Sequence, residues 1–112
     1  MGIDDRARAY YRAIDGHDYQ ALSDLLTADF VHDRPDRTID GRDRFVRFMR
    51  AERPQTDTTH PIDGVYEPSE GDADEIVARG RLLDADGDPL ARFVDVFEFD
   101  GDRIRRVETY TA

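Results

Sequence analysis

Asp95 is the residue in this chain best placed to do chemistry. It lies in Phe93-Val94-Asp95-Val96-Phe97-Glu98-Phe99, and alternation puts it on one strand face with Phe93, Phe97 and Phe99. That face must bury three phenylalanines, and an ionised carboxylate among them costs several kcal/mol unless it is matched. Either a dedicated partner holds the charge, or the carboxyl raises its pKa and serves as a proton donor or acceptor in a pocket. The spacing leaves both open.

Other side chains join it. His32 and Arg34 share strand parity with Phe30, so an inward Phe30 brings both inward. His32 is a candidate acid or base, because an imidazole titrates near neutrality; the plainer reading is a histidine bonded to its neighbours. Arg34 can grip a ligand carboxylate with two bonds, neutralise Asp95 as a buried pair, or turn to solvent. Tyr10 sits on the buried stripe of the first helix, either as core or as a hydroxyl donor to a ligand oxygen. His60 opens a strand after Thr58-Thr59, at the expected rim of the pocket, while His17 beside Gly16 reads as a surface residue. Phe48, Phe93 and Phe97 are the apolar candidates for contact with a ligand.

Metal and thiol chemistry find little support. The chain has no cysteine, which excludes disulfides, thiolates and Cys/His zinc sites. His32, His60 and Asp95 show no ligand pair at helical spacing. Asp84-Ala85-Asp86-Gly87-Asp88 departs from a calcium loop, with Pro89 where a glycine is needed and no closing glutamate. No metal or cofactor is expected.

The elements that must position these residues follow from periodicity. Ile3, Ala7, Tyr10 and Ile14 form one helical stripe that Gly16 ends. Asp18 can cap a second helix carrying Tyr19, Leu22, Leu25 and Leu26. Phe30 to Arg34 reads as a short strand, Pro35-Asp36 as a turn, and Arg37 to Asp40 as a returning strand. A third helix from Gly41 turns Phe45, Phe48 and Met49 inward until Pro54 stops it. After a polar loop from Arg53 to Thr59 the period changes, and Ile62–Tyr66, Glu75–Leu83, Leu90–Phe99 and Arg103–Thr111 read as strands. Glu67 to Asp72 connects the first two, and turns containing Asp-Gly connect the rest. In the last strand apolar residues fall on both faces, so parity does not decide whether Glu108 enters the pocket. Helices followed by an antiparallel meander give an α+β fold.

The 112 residues suit one domain, 1–112, with no repeat and no membrane span. The acidic N-terminus is unlike a signal peptide, so a cytoplasmic location is expected. The net charge is −10, every basic residue is arginine, and lysine is absent. This acidity resembles that of proteins from salt-accumulating halophiles, where concentrated salt screens self-repulsion. A cationic partner is the rival explanation. Duplex nucleic acid is a poor partner on either.

Several segments together resemble the nuclear transport factor 2-like superfamily, in particular its SnoaL-like polyketide cyclase and ketosteroid isomerase branches. They are Tyr10-Tyr11-Arg12-Ala13-Ile14-Asp15-Gly16-His17-Asp18 with Leu22 to Leu26, Ala28-Asp29-Phe30-Val31-His32-Asp33-Arg34-Pro35, Gly41-Arg42, and Phe93 to Gly101. The resemblance implies a curved antiparallel sheet wrapped as a cone on three N-terminal helices, with a ligand pocket in its open end and a homodimer built on the outer sheet face. In steroid isomerases a first-helix tyrosine and a protonated aspartic acid hold the oxyanion, and these fall on Tyr10 and Asp95. Their aspartate base falls on Arg34, so that mechanism lacks its base here. Two function classes follow. One is a cofactor-free isomerase, cyclase or dehydratase moving protons on a small carbonyl compound with Asp95, His32, Tyr10 and Arg34. The other is a non-catalytic ligand-binding or assembly domain. An open cavity beside Asp95 and His32 favours the first, a sealed network the second.

Overall fold

A computed structural model describes residues 2–68 and 74–112. The first helix, α1 (Ile3–Asp15), buries Ala7, Tyr10, Tyr11, Ala13 and Ile14. Both tyrosines face inward, a wider apolar face than the single stripe through Tyr10. Gly16 still makes a helical bond, its N–H donating to the Arg12 carbonyl at 2.9 Å, and the helix closes just beyond it, where the His17 and Asp18 N–H groups donate back to the Ile14 and Ala13 carbonyls at 3.2 and 2.8 Å. His17 takes a left-handed φ of 56°, and Asp18 then caps α2 (Tyr19–Asp24), its side chain accepting from the Ala21 N–H at 3.1 Å. The second helix is shorter than its leucine spacing suggests. Leu26 leaves it to start a strand, because the Leu25 carbonyl accepts from Ile104 N–H at 2.7 Å, a tertiary bond in place of a helical one.

The third helix, α3 (Arg42–Arg47), follows Gly41 at φ 96°. It passes into a π-helical turn, Phe48–Glu52, closed by Arg53 N–H on the Phe48 carbonyl at 3.0 Å. The widened turn keeps Phe48 and Met49 buried together. Arg44 clamps Glu52 at 2.8 and 3.0 Å, tying α3 to the turn that follows it.

Six strands form one curved, unclosed sheet around the helices, the expected α+β cone. They are β1 (Leu26–Asp33), β2 (Thr38–Asp40), β3 (Ile62–Tyr66), β4 (Glu75–Leu83), β5 (Pro89–Asp100) and β6 (Arg103–Thr111), in the order β2-β1-β6-β5-β4-β3. Among the described residues every strand pairing is antiparallel except β1 with β6, which is parallel. Of the expected connection Glu67 to Asp72, residues 69 onward lie outside the described residues. The β4–β5 turn is a hairpin: Gly87 takes φ 84°, and Asp84 Oδ1 accepts the backbone N–H of both Asp86 and Asp88. No described helix is long and apolar enough to cross a membrane.

One irregularity decides what faces the interior. The β5–β6 hairpin starts with Asp100 opposite Arg103 and Phe99 opposite Ile104, but Glu98 is opposite Arg106, so Arg105 is an extra, bulged residue. Uninterrupted, the register would set Asp95 against Glu108. The bulge sets it against Thr109 instead. It also explains the mixed parity of β6: Ile104 is inward before the bulge, Val107 and Thr109 after it.

Candidate functional site

Three neighbouring strands change character along their length. The inner face of β1 runs from Phe30 to His32, that of β6 from Ile104 and Val107 to Thr109. The antiparallel β5 runs from Phe99 and Phe97 to Asp95 and Phe93. At the first end the aromatic rings pack solid; Phe30, Phe45, Phe97, Ile104 and Val107 are wholly buried. At the second end a cavity of about 500 Å³ opens between the sheet, α1 and the π-helical turn. Ile14, Phe48, Met49, Leu82 and Phe93 form its apolar wall, and Tyr10, Tyr11, His32, His60, Asp95 and Thr109 its polar wall. The exposed residues Pro35, Asp36, Pro54, Gln55 and Leu90 form the rim.

Asp95 is 6% exposed. Its carboxyl is held by two hydroxyls: Tyr11 donates to Oδ2 at 2.6 Å and Thr109 donates to Oδ1 at 2.5 Å. Among the described residues no cation forms an ion pair with it. Burial raises its pKa, and the bonds from Thr109 and Tyr11 only partly offset that. The same negative charge, added to burial, drives the Tyr11 hydroxyl far above its ordinary value.

His32 Nε2 lies 2.9 Å from Thr109 Oγ1. Thr109 spends its one proton on Asp95, so it accepts from His32, and the imidazole is the Nε2–H tautomer. Its Nδ1 is then a bare lone pair, buried without a partner among the described residues. Burial first, then the nearby Arg34 charge, lowers the His32 pKa to about 3. The ring is therefore neutral throughout the physiological range and too weak a base to hold a proton there.

The structure thus corrects which of the candidate side chains meet Asp95. Tyr11, not Tyr10, supplies its tyrosine hydroxyl. His32 reaches it only through Thr109. Arg34 does not pair with it; its guanidinium reaches Asp36 at 3.1 Å and lies over the Phe48 ring at 5.8 Å, on the cavity wall. Tyr10 stacks on Phe45 and meets Phe97 edge-on, with ring centroids 6.3 and 5.3 Å apart. Its hydroxyl has no hydrogen-bond partner among the described residues, and burial followed by the Asp95 charge raises its pKa well above the usual value. Phe97 is wholly buried beneath the two tyrosines and does not line the cavity, so its expected ligand contact is also corrected. Phe48 and Phe93 do line it.

His60 lines the cavity beside Tyr11 and Phe93, where Asp15 at the end of α1 holds it. His17 is exposed, with Nε2 on the Thr56 carbonyl at 2.5 Å. Sequence reasoning missed Tyr11, Thr109 and Asp15. The i, i+4 spacing of Tyr11 and Asp15 was a visible signal that both share a helix face. Thr109 had none, because the bulge that aims it inward has no sequence mark.

Comparison with known proteins agrees with this architecture. The profile of the SnoaL-like domain family matches residues 7–107. Among solved structures, a nuclear transport factor 2-like protein of unknown function from Cytophaga hutchinsonii superposes with a TM-score of 0.83 at 12% identity, covering 100% of this chain and 91% of that one. A candidate ketosteroid isomerase from Kribbella flavida gives 0.81 at 21% identity, covering 98% and 77%. A candidate polyketide cyclase from Sinorhizobium meliloti gives 0.78 at 20% identity, covering 95% and 94%. These likenesses establish the fold. No curated protein matches the sequence.

Proposed function

The chain belongs to the SnoaL-like domain family, and on that footing we propose that it is a cofactor-free isomerase, cyclase or dehydratase acting by proton transfer on a small carbonyl compound. The observation that carries this reading is Asp95: a buried carboxyl beside a cavity, without a matching cation among the described residues, held only by hydroxyls. Such a group takes up a proton more readily than a surface aspartate. Once protonated on Oδ2 it donates to the Tyr11 oxygen, and Tyr11 can turn its own proton into the cavity. Tyr11 and the unpartnered Tyr10 hydroxyl then face the oxygen of a substrate carbonyl as negative charge develops on it, in a site sheltered from water. His32 positions Thr109 in this scheme. Arg34, Phe48, Phe93 and His60 contact the ligand.

The alternative is a ligand-binding domain without turnover. Its support is the closed chain His32–Thr109–Asp95, in which both carboxyl oxygens are already occupied. Deuterium uptake from heavy water into the α-positions of a panel of small ketones, followed by proton NMR, separates the two. The catalytic reading expects acceleration over buffer that falls about 10²-fold or more in Asp95→Asn, the usual contribution of acid–base catalysis. No acceleration, or equal acceleration by the variant, would overturn it.

The homodimer belongs to the same reading. Tyr66 and Tyr110 stand about half exposed on the sheet, at 49% and 53%, apolar area that a second copy would cover. Light scattering at molar salt is expected to give twice the chain mass; a monomer at micromolar concentration would refute it.

A further inference from the structure

A second polar pair borders the cavity outside the Asp95 hydrogen-bond chain. Asp15, in the last turn of α1, grips His60 at two points. Its Oδ1 accepts from the ring Nδ1–H at 2.6 Å, and its Oδ2 accepts from the His60 backbone N–H at 2.9 Å. The backbone around His60 is itself pinned: Thr59 and Leu83 exchange both N–H bonds at 3.0 Å, and Arg81 donates to the Pro61 carbonyl at 3.0 Å. Gly80 permits that approach, since a Cβ there would stand 2.6 Å from the Pro61 oxygen. The ring is wedged against Tyr11 and Phe93, with both centroids 5.8 Å away.

The clamp fixes the tautomer. In the neutral ring, with its proton on Nδ1 and pointed at a carboxylate, Nε2 carries the lone pair, and it has no partner among the described residues. The ring lines the cavity. The rival basic atoms there are occupied. Both Asp95 oxygens accept hydroxyl bonds, His32 Nε2 is bound to Thr109 and its Nδ1 is sealed, and Asp36 at the rim is paired with Arg34 and Arg37.

We propose that Asp15 and His60 form a carboxylate-oriented imidazole whose Nε2 is the proton acceptor of the cavity. The proposal rests on the carbonyl chemistry above and supplies the base missing where Arg34 replaces the isomerases' aspartate. The Nε2 lone pair forms an N–H bond with an α-proton as the C–H bond breaks. The C–H electron pair becomes the enolate C=C, and the carbonyl π pair moves onto oxygen, facing the tyrosine hydroxyls. The imidazolium sits beside the Asp15 carboxylate until it returns the proton to carbon. His60 is the catalytic residue and Asp15 its positioning residue.

Two measurements test the pair without a known substrate. In long-range proton–nitrogen NMR of the unaltered protein, His60 is expected as the Nδ1–H tautomer, with Nε2–H gaining population in Asp15→Asn. With 2-bromoacetophenone, a ketone whose C–Br bond breaks as an N–C bond forms, mass spectrometry is expected to find His60 labelled at least tenfold faster than His32. Asp15→Asn should slow His60 severalfold and leave the surface His17 unchanged. An unlabelled His60, an Nε2–H tautomer, or a His60 rate indifferent to Asp15→Asn would overturn the pair. Deuterium uptake into the ketone panel then separates this failure from that of the proposed function. Uptake lost in Asp95→Asn but kept in His60→Gln would refute the base and spare the carbonyl reading. With no uptake by the unaltered protein the carbonyl reading falls, and labelling and tautomer still decide the pair.

Discussion

Phe97 and Asp95 are two residues apart on the same face of the same strand, yet they belong to different regions. Around Phe97 the interior is a solid aromatic stack with Tyr10, Tyr11 and Phe99. Around Asp95 the interior borders the cavity, and the side chains there are polar and bonded to one another. The closed end is stabilised by apolar burial, about 1.5–3 kcal/mol for each large side chain. The open end gives up some of that burial and carries two groups, Asp95 and His32, held away from their ordinary titration ranges. Stability and candidate chemistry thus occupy opposite ends of the same three strands.

The largest expected test of that division is acid. The folded-state pKa of His32, about 3, lies below the ordinary 6.5. As pH falls below 6.5 the unfolded chain takes up a proton that the fold refuses. The contribution is therefore full above 6.5 and is lost progressively down to about 3, on the order of 5 kcal/mol at 1.36 kcal/mol per unit. Denaturant unfolding between these pH values is expected to be markedly flatter in His32→Gln. An unchanged slope would mean that the open end does not carry this load.

Cavity-forming substitutions come next. Phe97→Ala, in the solid end, is expected to cost about 3–5 kcal/mol by denaturant unfolding. Phe93→Ala enlarges a space that already exists and should cost about half as much, while changing ligand binding. Equal costs would break the contrast between packed and hollow ends.

Asp95→Asn should be milder, about 1.5 kcal/mol or less, because an amide still accepts from one hydroxyl and donates to the other. Its pH signature is opposite to that of His32. With its folded-state pKa raised, Asp95 contributes stability at low pH that is lost as pH rises through the raised value. The variant should lack that decline on the alkaline side of the ordinary carboxylate range. A decline that survives in Asp95→Asn would place its source elsewhere.

Salt is the smallest test and addresses the surface shared by both ends. With a net charge of −10, the melting temperature is expected to rise by several degrees from dilute buffer to molar chloride. The difference between Phe97→Ala and Phe93→Ala should stay constant over that range. A flat or falling curve would count against solvent adaptation and revive a cationic partner.

The sequence determined the elements and their order. Ile62–Tyr66, Glu75–Leu83 and Arg103–Thr111 are strands with the bounds that alternation assigned, Asp18 caps its helix as its type suggested, and the Asp-Gly turns fall between strands. It also singled out Asp95, because an acid among phenylalanines is visible without coordinates. These are local facts, set by side-chain period and turn chemistry within a few residues.

Tertiary structure decided the partners. Thr109 meets Asp95 only because Arg105 bulges, and nothing in the identity of that arginine marks the bulge. Leu26 joins β1 rather than α2 because Ile104 reaches the Leu25 carbonyl from the other end of the chain. Tyr11 displaces Tyr10 because the rotation of α1 is set by everything packed on it. Asp15 meets His60 across 45 positions of sequence. Each such contact depends on how whole elements pack against one another, and no local pattern carries that information.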